Sequence, residues 1–231
     1  MTCADIRKFS KKDWRSLAIA DIICMYISPI FSKWFISKNV RPNTVTALMI
    51  ICGILGSLLF MVNHIEVKII GICFLWLWFI MDCSDGEVAR ITKQFSPYGK
   101  EMDQLAHLIT HPLVNLSIYI SYVQSGIDMF NLSIMALVFI SFEMIYRAFV
   151  IMDTYLTRHE MIDKEHKFCW IKYIFAQSLY MPNFILFFPI FLVCSLLLDL
   201  NTIVVLYLWM IVYVVNVVRL FALRLCKFYR E

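Results

Sequence analysis

Four side chains that could bind a metal ion lie within one short stretch of the sequence. Asp82 and Asp85 are three residues apart, and Asp103 and His107 are four apart, so each pair would share one face of a helix. Carboxylate oxygens suit Mg²⁺, Mn²⁺ or Ca²⁺, and Mg²⁺ sites usually complete their coordination with substrate phosphates. The stretch therefore predicts a divalent-metal site, with one or two ions, that supports phosphoryl chemistry.

The two pairs are separated by a polar turn, Lys93-Gln94-Phe95-Ser96-Pro97. They should therefore lie on two consecutive helices that form a hairpin, at one depth just inside the membrane interface. Three carboxylates and an imidazole in a low dielectric cannot all stay charged and unpaired, and a cation would relieve the repulsion. The structural alternatives are a proton relay or a helix-packing salt-bridge cluster that uses Arg90 and Lys93.

The elements around this hairpin follow from composition. The 231 residues are 61% hydrophobic and 16% charged, against about 45–50% and about 25% in globular proteins, which excludes a soluble fold. Spans of about 20 residues are required to cross a bilayer. We expect an all-α polytopic membrane protein with six transmembrane helices, at Thr44–Val62, Val67–Arg90, Pro97–Val123, Phe130–Met152, Leu179–Leu198 and Ile203–Leu223.

The basic residues indicate how these segments are oriented. Of the 21 Lys and Arg residues, 20 fall in the N-terminal segment, the second and fourth connections with their flanks, or the C-terminal end, and the exception is Lys68. By the positive-inside rule, both termini and the hairpin site lie on the cytoplasmic side. Because the net charge of +4 is explained by topology, a nucleic-acid partner is not expected.

The N-terminal segment combines aromatic and basic residues. Residues 10–36 predict an amphipathic helix that lies on the cytoplasmic leaflet and is broken at Pro29, with a seventh span as the alternative. The chain therefore divides into a cytoplasmic N-terminal segment, 1–41, and a six-helix membrane domain, 42–231. The eight cysteines contain no C-x-x-C pair, so packing is their default role.

The acidic stretch resembles the motif of the CDP-alcohol phosphotransferase family, D-x2-D-G-x2-A-R-x8-G-x3-D-x3-D. The matching residues are Asp82, Asp85, Gly86, Ala89, Arg90, Gly99 and Asp103, with His107 in place of the last Asp. The segment Arg41-Pro42-Asn43-Thr44-Val45-Thr46 is similar to the P-N-x-x-T that often opens the first span of the family. The resemblance covers about residues 33–112 by motif, and the remainder by topology alone.

The resemblance implies an enzyme that transfers a phosphoalcohol from a CDP-alcohol to an acceptor hydroxyl and releases CMP, in phospholipid or cell-envelope synthesis. It implies two divalent metals, Mg²⁺ or Mn²⁺, on the motif aspartates Asp82, Asp85 and Asp103, with His107 beside the second metal. The nucleotide would contact Asn43, Thr46, Asp82, Gly86, Ala89, Arg90 and Gly99. At least one substrate should be a lipid, and dimers are common in the family.

His107 stands where the family has its general base. A neutral imidazole can accept the proton of an attacking hydroxyl, so His107 is the expected base, with one fewer negative charge at the metals. Two alternatives remain: an active enzyme whose base is Glu87, Glu101 or His111, and a catalytically silent relative. A small transporter is the alternative outside the enzyme class, although its carboxylates should be spread along a pathway and accompanied by inverted repeats.

Glu143 and Arg147 form a second polar pair inside the fourth segment. They are four residues apart on one helical face, so an ion pair within the helix is the simpler interpretation. The functional alternative is that Arg147 helps to bind an anionic group of the acceptor.

Overall fold

A computed structural model describes residues 2–9, 17–156, 177 and 180–229. Within these residues the regular elements are all α-helices, which confirms the all-α polytopic class. The helices are α1 (Cys3–Phe9), α2 (Ile19–Ser37), α3 (Pro42–Phe60), α4 (Ile65–Thr92), α5 (Gly99–Gln124), α6 (Met129–Leu156), α7 (Met181–Leu197) and α8 (Ile203–Phe228). Each of the six predicted apolar segments corresponds to one helix, α3 to α8.

Five helices of the described chain are long and apolar enough to cross a membrane: α2, α3, α4, and the parts Met129–Phe149 of α6 and Ile203–Cys226 of α8. Helix α7 is apolar but has 17 residues, and α5 buries polar side chains such as Thr110, His111 and Asn115. Hydropathy therefore supports five spans, a set that includes α2 and leaves out two of the six segments that we predicted. The chain is an integral, multi-pass membrane protein.

The predicted break at Pro29 is wrong, because α2 continues from Ile19 to Ser37 with Pro29 inside it. A proline within a helix leaves carbonyl groups of the preceding turn without their usual donor. Here Arg7 of α1 donates to the carbonyl of Tyr26 at 3.0 Å. Ser84 of α4 donates to the carbonyl of Ser28 at 3.4 Å. The carbonyl that loses its helical donor to the proline is that of Met25, so these contacts do not replace the missing hydrogen bond; they tie α2 to α1 and α4 in the turn that precedes Pro29. Residues 10–16 of the predicted amphipathic helix lie outside the described residues.

Helix α4 is at the centre of the part that carries the motif, and it packs against α2, α3 and α7, while α3 also packs against α5. Glycines allow α3 and α4 to approach closely. A Cβ atom on Gly71 would lie 2.8 Å from the Gly56 oxygen and from the Phe60 nitrogen, both backbone atoms of α3. Since backbone cannot move aside as a side chain can, this contact requires glycine and fixes the register of the two helices.

Helix α2 is also joined to α4, the helix that carries the first half of the motif. Ser28 and Ser32 of α2 donate to the two carboxylate oxygens of Glu87 at 2.9 and 2.6 Å. Glu87 is 1% exposed, so these hydrogen bonds replace water that the carboxylate loses on folding. They hold α2 against the segment of α4 that carries Asp82 and Asp85.

Candidate active site

Helices α4 and α5 form the predicted hairpin and bring most of the acidic cluster together. Asp82, Asp103 and His107 each offer a ligand atom, and these atoms lie within 4.8 Å of one another. His107 Nε2 is 3.3 Å from Asp82 Oδ1 and 3.6 Å from Asp103 Oδ1. The pairing arises because α4 ends at Thr92 and α5 begins at Gly99, so the two motif halves face each other.

The donor set fits a divalent cation. Two carboxylates and one imidazole nitrogen converge, and the buried Oδ1 of Asp103 has no hydrogen-bond partner among the described residues. A buried oxygen without a partner is costly. A cation between the three side chains would supply its missing interaction.

Asp85 lies outside this group of three, although we expected four side chains to meet. Its Oδ2 accepts a hydrogen bond of 2.7 Å from Thr46 Oγ1 of α3. Asp85 instead borders a neighbouring cavity, and Asp103 lines the same cavity. The two carboxylates therefore link the three-residue cluster to this space.

The cavity has a volume of about 360 Å³ and lies between α3, α4 and the start of α5. Its lining includes six of the seven residues expected to contact a nucleotide, namely Asn43, Thr46, Gly86, Ala89, Arg90 and Gly99. The seventh, Asp82, belongs to the cluster. The structure thus gathers on one surface the residues that the motif separates along the chain.

The cavity suits an anionic ligand. The first residues of α3, Pro42 and Asn43, and of α5, Gly99 and Lys100, are part of its lining, and helix N-termini attract negative charge. The guanidinium group of Arg90 lies over Gly86, since a Cβ atom on Gly86 would be 3.0 Å from Arg90 Nη1. A side chain at position 86 would displace that guanidinium group from the cavity wall.

The three alternative bases, Glu87, Glu101 and His111, do not line the polar cavity. Glu87 is buried against Ser28 and Ser32 of α2, and its side chain does not line the cavity although its neighbour Gly86 does. Glu101 is exposed. His111 is fully buried one turn beyond His107, with its Nε2 3.3 Å from His107 Nδ1.

Glu143 and Arg147 contact each other, as the simpler interpretation of their spacing predicted. Arg147 Nε donates to Glu143 Oε1 at 3.2 Å. The sequence did not indicate that both also contact α5, where His111 Nδ1 lies 2.8 Å from Glu143 Oε1. The only signal in the sequence was the four-residue spacing within each pair, His107 with His111 and Glu143 with Arg147. This spacing places each pair on one helix face, but it does not indicate that the two faces contact each other.

A second cavity, of about 440 Å³, is lined only by apolar or weakly polar side chains of α2, α3 and α4. Met81, in its wall, is one helical turn before Asp85 on α4. The linings of the two cavities are therefore about one helical turn apart along α4.

Comparison with known proteins bears on the whole arrangement. No curated protein matches the chain. A family model described as CDP-alcohol phosphatidyltransferase matches residues 39–215. The matched region runs from just before α3 into α8, so it includes the hairpin and the residues of α3 and α4 that line the two cavities. Because this match covers well over half of the chain, the protein belongs to the CDP-alcohol phosphatidyltransferase family, whose members transfer phosphoalcohol groups and use divalent metals.

Proposed function

We propose that the protein transfers a phosphoalcohol group from a CDP-alcohol to the hydroxyl group of an acceptor and releases CMP. The observation that carries this proposal is the convergence of Asp82, Asp103 and His107 within 4.8 Å, next to a cavity that Asp103 and Asp85 line. The apolar cavity supports a role in lipid metabolism.

The CDP moiety would occupy the polar cavity. Helix N-termini, Arg90 and Lys100 line that cavity and would face the anionic pyrophosphate, and the small residues Gly86 and Ala89 would leave room for a flat base. Asn43 and Thr46 would contribute polar contacts from α3. Two metal ions, Mg²⁺ or Mn²⁺, would be held by Asp82, Asp85 and Asp103, and would offset charge on the phosphates when bound.

The chemical step is a substitution at phosphorus. The acceptor oxygen forms a bond to the phosphorus that carries the donor alcohol, and the bond from that phosphorus to the bridging oxygen of CMP breaks. CMP leaves with the bond's electron pair, and the hydroxyl proton passes to His107 Nε2. One lone pair cannot bind a metal and a proton at the same time, so we assign Nε2 to the proton during this step.

The apolar cavity supports a lipid as one of the two substrates. Its walls, which include Ile30, Trp34 and Leu48, expose apolar side chains, and α2 and α3 are both apolar enough to border lipid. An acyl chain could lie there while its headgroup reaches Asp85, one turn further along α4. The positive charge on the connections supports a position of this site at the cytoplasmic face.

The test is a panel of CDP-alcohol donors and alcohol acceptors in detergent or liposomes, with CMP release measured in Mg²⁺, Mn²⁺ and chelator. We expect metal-dependent CMP release with at least one pair, and its loss in Asp103→Ala. No release with any pair, together with an Asp103→Ala variant that behaves like the wild type, would refute the proposal. A substrate transported across liposomes without CMP release would instead favour the transporter.

A further inference from the structure

A row of polar side chains leads from His107 into the interior between α5 and α6. His107 Nδ1 lies 3.3 Å from His111 Nε2, and His111 Nδ1 lies 2.8 Å from Glu143 Oε1. Arg147 closes the row, with Nε 3.2 Å from Glu143 Oε1 and Nη2 2.6 Å from His111 Nε2. His111 and Glu143 are fully buried. We call these four residues the His-Glu-Arg row.

The partners of His111 determine which of its ring nitrogens carries hydrogen. A neutral imidazole has one donor and one acceptor nitrogen. An ionised Glu143 can only accept, so Nδ1 of His111 donates to it. Arg147 Nη2 lies within hydrogen-bond distance of both ring nitrogens, 2.6 Å from Nε2 and 3.0 Å from Nδ1, so Arg147 does not select between them, and the Nδ1 hydrogen directed at Glu143 leaves the lone pair on Nε2. Glu143 therefore selects the tautomer of His111, with the hydrogen on Nδ1 and the lone pair on Nε2.

The tautomer of His111 in turn determines the tautomer of His107. Nδ1 of His107 lies 3.3 Å from Nε2 of His111, which carries no hydrogen. Two lone pairs that face each other would repel, so Nδ1 of His107 carries the hydrogen and its Nε2 keeps the lone pair. That nitrogen is the one directed at Asp82 and Asp103. We propose that His111, Glu143 and Arg147 are positioning residues that hold His107 in the tautomer whose free lone pair faces the acidic cluster.

The acidic cluster by itself would favour the other tautomer of His107, with the hydrogen on Nε2. An imidazole beside two carboxylates gains most by turning an N–H group toward them, and a hydrogen on Nε2 would block it as a base. The buried row supplies an acceptor on the other side of the ring. Trp78 adds steric restraint, because its ring packs edge-on against His107 and His111, with centroids 5.4 and 5.7 Å apart. Loss of a partner that orients a histidine at a metal site typically changes activity about 10–100-fold, and loss of the partner that orients the histidine of a catalytic triad changes it about 10⁴-fold.

Two substitutions of His111 separate positioning from packing. His111→Phe keeps the ring shape but removes both hydrogen bonds. His111→Gln loses the ring but can accept through its carbonyl oxygen and donate through its amide group, which retains the polarity of the row. Asn115→Leu is the matched control. It lies one turn further along α5, is 1% exposed, and its amide has no hydrogen-bond partner among the described residues.

The direct measurement is the ¹⁵N NMR spectrum of histidine-labelled protein in detergent with Mg²⁺, in which His107 is assigned by its loss in His107→Asn. We expect hydrogen on Nδ1 of His107 in the wild type, in His111→Gln and in Asn115→Leu, and on Nε2 in His111→Phe. The same His107 tautomer in wild type and His111→Phe would overturn the inference. If His111→Phe does not fold, hydrogen on Nε2 in the wild type, or on both nitrogens, would overturn it too.

The kinetic consequence rests on the proposed function. We expect His111→Phe to lower kcat about 10–100-fold with the KM for the CDP-alcohol unchanged, and His111→Gln to recover most of kcat. A raised KM for the acceptor at unchanged kcat would assign the row to acceptor binding and overturn the positioning role. A wild type that releases no CMP would refute the proposed function, whereas the NMR result would still decide the tautomer.

Discussion

Thr46 provides a sensitive test of the metal site because it touches the one motif aspartate that lies outside the three-residue cluster. Its Oγ1 donates to Asp85 Oδ2 at 2.7 Å, and Thr46 is 6% exposed. Thr46→Val keeps the shape of the side chain and removes the donor. Asp85 would then face the cavity without its oriented partner, and we expect weaker binding of the divalent ion.

The size of the effect follows from the hydrogen bond. A hydrogen bond to a charged group contributes about 1.5–3 kcal/mol, and about 1.4 kcal/mol corresponds to a factor of ten in affinity. If that energy orients Asp85 for the metal, Thr46→Val should weaken metal binding by about 10–100-fold, which is also the usual range for partners of metal ligands.

The assay is Mn²⁺ binding, followed by electron paramagnetic resonance on purified protein in detergent without donor. Thr44→Val is the matched control, since Thr44 lies on the same turn of α3 but is exposed and outside the cavity. Thr46→Ser keeps the hydroxyl group and should bind Mn²⁺ like the wild type. Indistinguishable affinities for Thr46→Val and Thr44→Val would refute the role given to Asp85.

Two further predictions concern the scaffold. The double variant Ser28→Ala/Ser32→Ala removes both hydroxyl donors of the buried Glu87 carboxylate, so the free energy of unfolding should fall by about 3–6 kcal/mol. Adding Glu87→Leu to the double variant should restore most of that free energy. Equal denaturation midpoints for the wild type and the double variant would contradict the anchoring of α2 by these hydrogen bonds. The topology can be tested with single cysteines introduced at His64 and Lys93, at opposite ends of α4, in a background where Cys3, Cys73 and the remaining cysteines are replaced. The two cysteines should react with impermeant thiol reagents from opposite sides of a sealed vesicle. We expect Lys93→Cys to be labelled from the cytoplasmic side.

The helices and the hairpin could be predicted from sequence because their signals are local. Apolar segments have to match the thickness of a bilayer, and the spacing of Asp82, Asp85, Asp103 and His107 fixes which side chains share a helix face. The continuity of α2 could not be predicted, because it depends on how α2 packs against other helices, as in the contacts of Arg7 and Ser84 with carbonyl groups beside Pro29.

The details of the site depend on tertiary contacts that spacing does not encode. Asp85 accepts from Thr46 rather than joining the other three side chains, which depends on where α3 crosses α4. The contact of His111 with Glu143 depends on how α5 and α6 are aligned. Sequence spacing placed each residue on a face, and only packing determined which face met which.

His107, which replaces an aspartate of the family motif, is the residue to which the proposed mechanism assigns the proton transfer. The most direct measurement is the rate of CMP release by wild type, His107→Asp and His107→Ala with the best donor and acceptor pair. Loss of a general base typically costs about 10²–10⁴-fold, so His107→Ala should lose transfer by that order while His107→Asp, whose carboxylate can also accept a proton, retains part of the activity. Equal rates for His107→Ala and wild type would contradict the role of His107 as the base.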